Sequence, residues 1–148
     1  MATTESIRAA MTTAWKAGDN TRRDALRLMI ASMENLRIEL GRALEEADVT
    51  RVLQKEAKQR RDSITEYAKA KRQDLVDKEQ AELDVIVQFL PQQMSEDELR
   101  AIVRSVIEEA GATSVNDLGK VMRPLMARLA GRADGAAANA IAREILQG

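Results

Sequence analysis

The sequence predicts an all-α protein: an amino-terminal domain of about four helices, then three carboxy-terminal helices. Three observations lead there. Ala, Leu, Glu, Arg and Gln, all good helix formers, dominate the 148 residues. Seven Gly and two Pro are too few for the many tight turns of an all-β chain. Apolar residues recur at three- and four-residue intervals along nearly the whole length.

Each element has its own stripe and its own stops. Ile7, Ala10, Met11, Ala14 and Trp15 form the first stripe, stopped by Gly18. Asp19 or Asn20 can cap the second helix, which carries Leu26, Met29, Ile30, Met33, Leu36 and Leu40 and ends at Gly41. The third stripe is Val49, Val52, Leu53, Ala57, Ile64, Tyr67 and Ala68. It has a gap at Arg60, where the helix is expected to be less buried. The fourth is Val76, Leu83, Ile86, Val87 and Leu90, ended by Pro91, which pushes the preceding residue out of the α conformation.

Ser95 and Glu98 have the spacing of a capping box, in which each side chain serves the other's amide. The fifth stripe follows: Leu99, Ile102, Val103, Val106, Ile107 and Ala110, closed by Gly111. Ser114 or Asn116 can open the sixth, with Val115, Leu118, Met122, Leu125, Met126 and Leu129. Pro124 falls inside it and is expected to kink or divide it. Gly131 ends that segment, and Asp134 can cap a last helix with Ala138, Ile141, Ala142, Ile145 and Leu146. The boundary falls in the Pro91–Met94 segment, giving domains 1–92 and 93–148.

Composition excludes several chemistries. There is no Cys and no His. Disulfides, thiolate nucleophiles and the commonest metal ligand and general base are therefore absent. Ser6, Ser32, Ser63, Ser95, Ser105 and Ser114 have no His to activate them. No carboxylate pair stands out in an apolar setting. We thus assign no catalytic residue, no metal site and no cofactor. No apolar run approaches the ~18–20 residues of a membrane span. The amino terminus lacks a basic region followed by an apolar stretch, so a cytoplasmic location is expected.

Charge is unevenly spread. Residues 51–72 hold eight basic and three acidic residues; residues 73–98 hold one basic and eight acidic. Two helices of opposite sign can attract each other. Alternatively, the basic stripe meets phosphates, which Lys and Arg bind without base readout. With aromatics at 2% of the chain, RNA would be held by backbone and shape rather than by base stacking.

Several short stretches are distinctive: Lys58-Gln59-Arg60-Arg61-Asp62-Ser63, Arg72-Gln73-Asp74-Leu75, Leu90-Pro91-Gln92-Gln93-Met94-Ser95, Gly119-Lys120-Val121-Met122 and Gly131-Arg132-Ala133-Asp134-Gly135. Each has a plain reading. Pro91 terminates a helix, and Gly131, Asp134 and Gly135 form a C-cap, an N-cap and a helix start. Gly119 inside a helix suggests close approach of a neighbouring helix. Arg132 near a helix amino terminus could favour an anion, although Asp134 opposes it.

In this order the stretches resemble the GatB/YqeY-like proteins, specifically the small stand-alone YqeY type, a resemblance that also suggests a bacterial chain. It implies an amino-terminal helical domain and a tail similar to the carboxy-terminal domain of the GatB component of the tRNA-dependent amidotransferases. That family is described as carbon–nitrogen ligase with glutamine as amido-N-donor. The catalytic parts of the GatB component have no counterpart in this chain. The resemblance therefore implies a non-catalytic tRNA-binding or accessory module. Expected partners are tRNA and amidotransferase or translation-related proteins. Lys120, Arg123, Arg128 and Arg132 are the RNA-binding candidates. Pro91, Gly119, Gly131, Asp134 and Gly135 are structural motif positions. The alternative is a helical protein-interaction module that binds no RNA.

Overall fold

A computed structural model describes residues 2–148. These residues form seven α-helices and one short 3-10 turn, with no strand among them. The fold is all-α, as the periodicity predicts. The chain divides into two compact units, Met1–Pro91 and Gln92–Gly148, each with its own apolar core.

The first unit contains α1 (Thr4–Lys16), α2 (Asn20–Leu40), α3 (Glu46–Lys69) and α4 (Gln73–Val87). Asp19 rather than Asn20 caps α2, accepting from the Arg22 amide at 3.1 Å. Gly41 closes α2 at φ 69°, a left-handed conformation that costs glycine nothing. Ile7, Leu26, Met29, Met33, Leu53 and Ile86 are fully buried, and α3 packs most extensively on α4. Burying a side chain such as Leu53 contributes roughly 1.5–3 kcal/mol.

Several expectations for this unit are corrected. Trp15 does not join the α1 stripe and is 65% exposed, because Ile7 and Ala14 alone supply that helix's fully buried face. Leu40 also points outward, in the last turn of α2. The helix before Pro91 ends at Val87 rather than near Leu90, and two tight turns follow, Phe89 to Ile86 and Leu90 to Val87. Around Arg60, by contrast, α3 is less buried, as the gap predicts, with no buried residue after Ala57; Arg60 itself is nonetheless well covered. The Arg60 side chain is only 12% exposed, held among carboxylates.

The second unit contains α5 (Glu96–Ala110), a 3-10 turn (Val115–Asp117), α6 (Leu118–Leu129) and α7 (Gly135–Gln147). Val103, Val106, Val121, Leu125, Leu129, Ala138 and Ala142 form its core. Only half of the expected capping box forms: Ser95 Oγ accepts from the Glu98 amide at 3.2 Å, while the Glu98 carboxylate turns toward Arg132. Ser114 opens the 3-10 turn, not the sixth helix itself, which starts at Leu118. Pro124 does not divide α6, which continues through it to Leu129. The helix stops one residue before Gly131, at Ala130, whose φ of 47° is unusual for a residue with a Cβ. Met126 is partly exposed rather than core.

Candidate functional site

In the second unit the four basic candidates fall into two classes. Arg128 and Arg132 are engaged internally. Arg128 Nη2 donates to Glu109 of α5 at 2.6 Å, and Nη1 donates to Ser105 Oγ at 3.3 Å. The guanidinium holds the Glu109 carboxyl below the usual carboxylate range, so the pair stays charged. Arg132 Nε donates to the Gln92 carbonyl at 2.9 Å, with Glu98 at 3.8 Å.

Lys120 and Arg123 face outward. The core of α6 is the stripe of Val121, Leu125 and Leu129, and helix geometry puts residues 120 and 123 on the opposite side. Both are exposed. The Lys120 side chain is 71% exposed and reaches Asp117 only at 3.7 Å. Asp117 is held anionic, below its ordinary range, by amide donation from Thr113 and then Ser114. Lys120 therefore remains a solvated cation. The Arg123 side chain makes no hydrogen bond or ion pair among the described residues.

Gly119 does not have the packing reason expected of it. A Cβ built there meets nothing within 4 Å. Gly135 does: a Cβ there would lie 3.1 Å from Met126 Cε. Asp134 caps α7, accepting from the Ala136 amide at 3.4 Å. Pro91 is half-buried at the end of the first unit.

The fold joins two of the distinctive stretches. The Met94 amide donates to the Arg132 carbonyl at 2.8 Å, and Gln93 Nε2 donates to the Gly131 carbonyl at 3.0 Å. With the Arg132–Gln92 bond, residues 92–94 and 131–132 form a clamp. The turn of Gly131–Gly135 is thus fixed by the segment that begins the unit. The sequence hides this pairing, because 38–40 residues separate the partners.

A second constellation lies in the first unit. Arg60 Nε is 2.8 Å from Glu82 and 3.6 Å from Glu79, both on α4, while Nη2 is 3.3 Å from Glu56 on α3. Ser32 of α2 donates to Glu56 at 2.7 Å. One cation therefore holds three carboxylates between helices. The attraction between helices of opposite sign operates here. Much of the remaining basic segment pairs locally: Lys58 with Asp62, Lys69 with Glu66, and Arg72 with Asp74. A signal for Arg60 exists in the sequence. It falls in the apolar register of α3, three residues after Ala57 and four before Ile64, as Glu79 and Glu82 fall in that of α4.

No buried side-chain polar atom lacks a partner, and no group of three acidic side chains is placed to hold a metal, among the described residues. Among the described residues no helix is long and apolar enough to cross a membrane.

A family model described as Yqey-like protein matches residues 4–146. Among curated proteins, the chain is 38% identical over 77 residues to a protein of Saccharomyces cerevisiae (strain YJM789), covering 51% of this chain and 42% of the relative. Relatives in Pyrenophora tritici-repentis (40% over 86 residues; 55% of this chain, 46% of the relative) and Lachancea thermotolerans (33% over 96 residues; 63% and 51%) are similar. All three are named "Altered inheritance of mitochondria protein 41, mitochondrial", a compartment other than the expected cytoplasm. The chain spans about half the length of these curated relatives. With the family match running over nearly all of its length, the chain belongs to the YqeY-like family.

Proposed function

We propose that this protein is a non-catalytic RNA-binding accessory module associated with tRNA-dependent amide transfer. The observation that carries the reading is the outward face of α6, where Arg123 stands exposed without an ion pair and Lys120 is 71% exposed, tied only to Asp117 at 3.7 Å. Such cations bind phosphate backbones by releasing counterions. The resemblance of this unit to an amidotransferase tail supplies the RNA class, tRNA. A cytoplasmic location belongs to the same proposal, and imaging of a tagged chain tests it.

Filter binding of tRNA at rising salt tests the function. Affinity should fall steeply with salt, and the double substitution Lys120→Ala/Arg123→Ala should weaken binding and flatten the salt slope by about two contacts. Arg128→Ala should leave the slope unchanged. Absence of binding at low salt sinks the reading. The purified chain should hydrolyse no glutamine alone.

One observation favours a second reading, a protein-docking module. Trp15 is 65% exposed on the first unit, and Trp is among the residues enriched at protein interfaces. Capture of a protein that survives nuclease treatment and is lost in Trp15→Ala favours this reading over the first.

A further inference from the structure

Beside the Arg60 network, α2 and α3 leave a groove of about 440 Å³, within the size range of small-molecule sites. Its α3 wall carries Arg51, Lys55 and Gln59, and its α2 wall carries Asn35 and Glu39. All five are exposed, and none of their side chains makes a hydrogen bond or an ion pair within the described residues. Neighbouring charges on the same helices behave otherwise: Lys58 pairs with Asp62 at 2.8 Å and Arg37 with Glu34 at 3.0 Å.

The floor is rigid by contrast. Ser32 and Glu56 line it, and Glu56 is held by the Ser32 hydroxyl at 2.7 Å and by Arg60 at 3.3 Å. Its charge is compensated from within, so it does not neutralise the cations above. Arg51 and Lys55 are one helical turn apart, about 6 Å along the axis, on one face. Two cations at that spacing can close on one anionic group. The opposite wall offers the Glu39 carboxylate, an acceptor for hydroxyls, and the Asn35 amide, which both donates and accepts.

We propose that this groove binds a nucleoside phosphate. Arg51 and Lys55 take the phosphate. Glu39 accepts from the sugar hydroxyls, and the Asn35 and Gln59 amides meet the base edge, as amide side chains do with adenine. No aromatic residue lines the groove, so the base is held by its edge rather than by stacking. This site lies in the first unit and is independent of the RNA-facing side of α6.

Calorimetric titration of the full chain with AMP, GMP, CMP and UMP tests the site, with adenosine, inorganic phosphate and glutamate as controls. At least one nucleotide should bind more tightly than all three controls. Arg51→Ala and Lys55→Ala should each weaken it by about tenfold, the scale of one hydrogen bond to a charged group. Gln59→Ala should change the ranking of the bases. These exposed helical positions accept Ala, and circular dichroism checks that each variant is folded. Three results overturn the proposal: no nucleotide binding up to millimolar concentration, binding of adenosine, phosphate or glutamate as tight as that of the best nucleotide, or affinity unchanged in Arg51→Ala.

Discussion

Arg60 Nε meets Glu82 Oε2 at 2.8 Å across the α3–α4 contact, with each side chain only 12% exposed. The bond ties the basic helix to the acidic one at the position where both apolar stripes are interrupted. Glu56 and Glu79 complete the cluster, so three carboxylates depend on one guanidinium. The planar, fork-like geometry of Arg suits this better than the point charge of Lys.

Loss of that guanidinium should be costly. In Arg60→Ala the three carboxylates would face each other without a cation, and breaking a buried ion pair costs about 3–5 kcal/mol. Urea denaturation should show a loss of that size. Arg60→Lys should lose less, because the charge survives without the fork. A change below about 1 kcal/mol in Arg60→Ala would falsify the clamp as a main support of this unit.

Acid should weaken the first unit through Asp48. This buried carboxylate accepts from Arg42 at 2.7 Å and from the Glu45 amide at 2.8 Å. The Arg42 bond first, then the Glu45 amide, hold it below the usual carboxylate range. The folded state therefore binds the proton less readily than the unfolded chain. Its stabilisation is complete above the ordinary Asp pKa of about 3.9 and is lost as pH falls through the folded value. Thermal melts between about pH 7 and pH 2.5 should be shallower on the acid side in Asp48→Asn.

Pro124 interrupts the hydrogen bonding of α6 without ending it. Its ring nitrogen cannot donate to the Lys120 carbonyl one turn back. Pro124→Ala should restore that bond and stabilise the second unit by up to about 3 kcal/mol. A protected new amide at position 124 in Pro124→Ala, with slower exchange at its neighbours, checks the mechanism. A lower melting temperature argues against it.

Gly119 sits in α6 with open space around its missing side chain. Gly119→Ala should therefore raise stability by up to about 1 kcal/mol, with no clash to offset the gain. A melting-temperature series with Gly119→Ala and Gly135→Ala separates the two glycines. At Gly135 the Met126 tip must give way to a new methyl, so the gain there should be smaller.

Much of the fold was legible in the chain. The seven stripes, the cap at Ser95 and the left-handed close at Gly111 follow from local rules acting over one or two turns. Part of the candidate site was legible too: the basic residues of α6 and the distinctive stretches can be read directly. Which of those cations the protein itself engages could not be read. Arg128 and Arg132 look equivalent to Lys120 and Arg123 in sequence, yet Glu109 and the Gln92 carbonyl engage the first two.

Secondary structure and family were both written in the order of residues, because helix periodicity, capping and short motifs are local. The fate of the charges was not, and it depends on packing. Packing turned the gap at Arg60 into a buried clamp, brought Gln92–Met94 against Gly131–Arg132, and left the exposed polar side chains of the α2–α3 groove without a hydrogen bond or ion pair among the described residues. Ion pairs and hydrogen bonds need two groups within a few ångströms, and for residues far apart in the chain only the packed fold sets that distance.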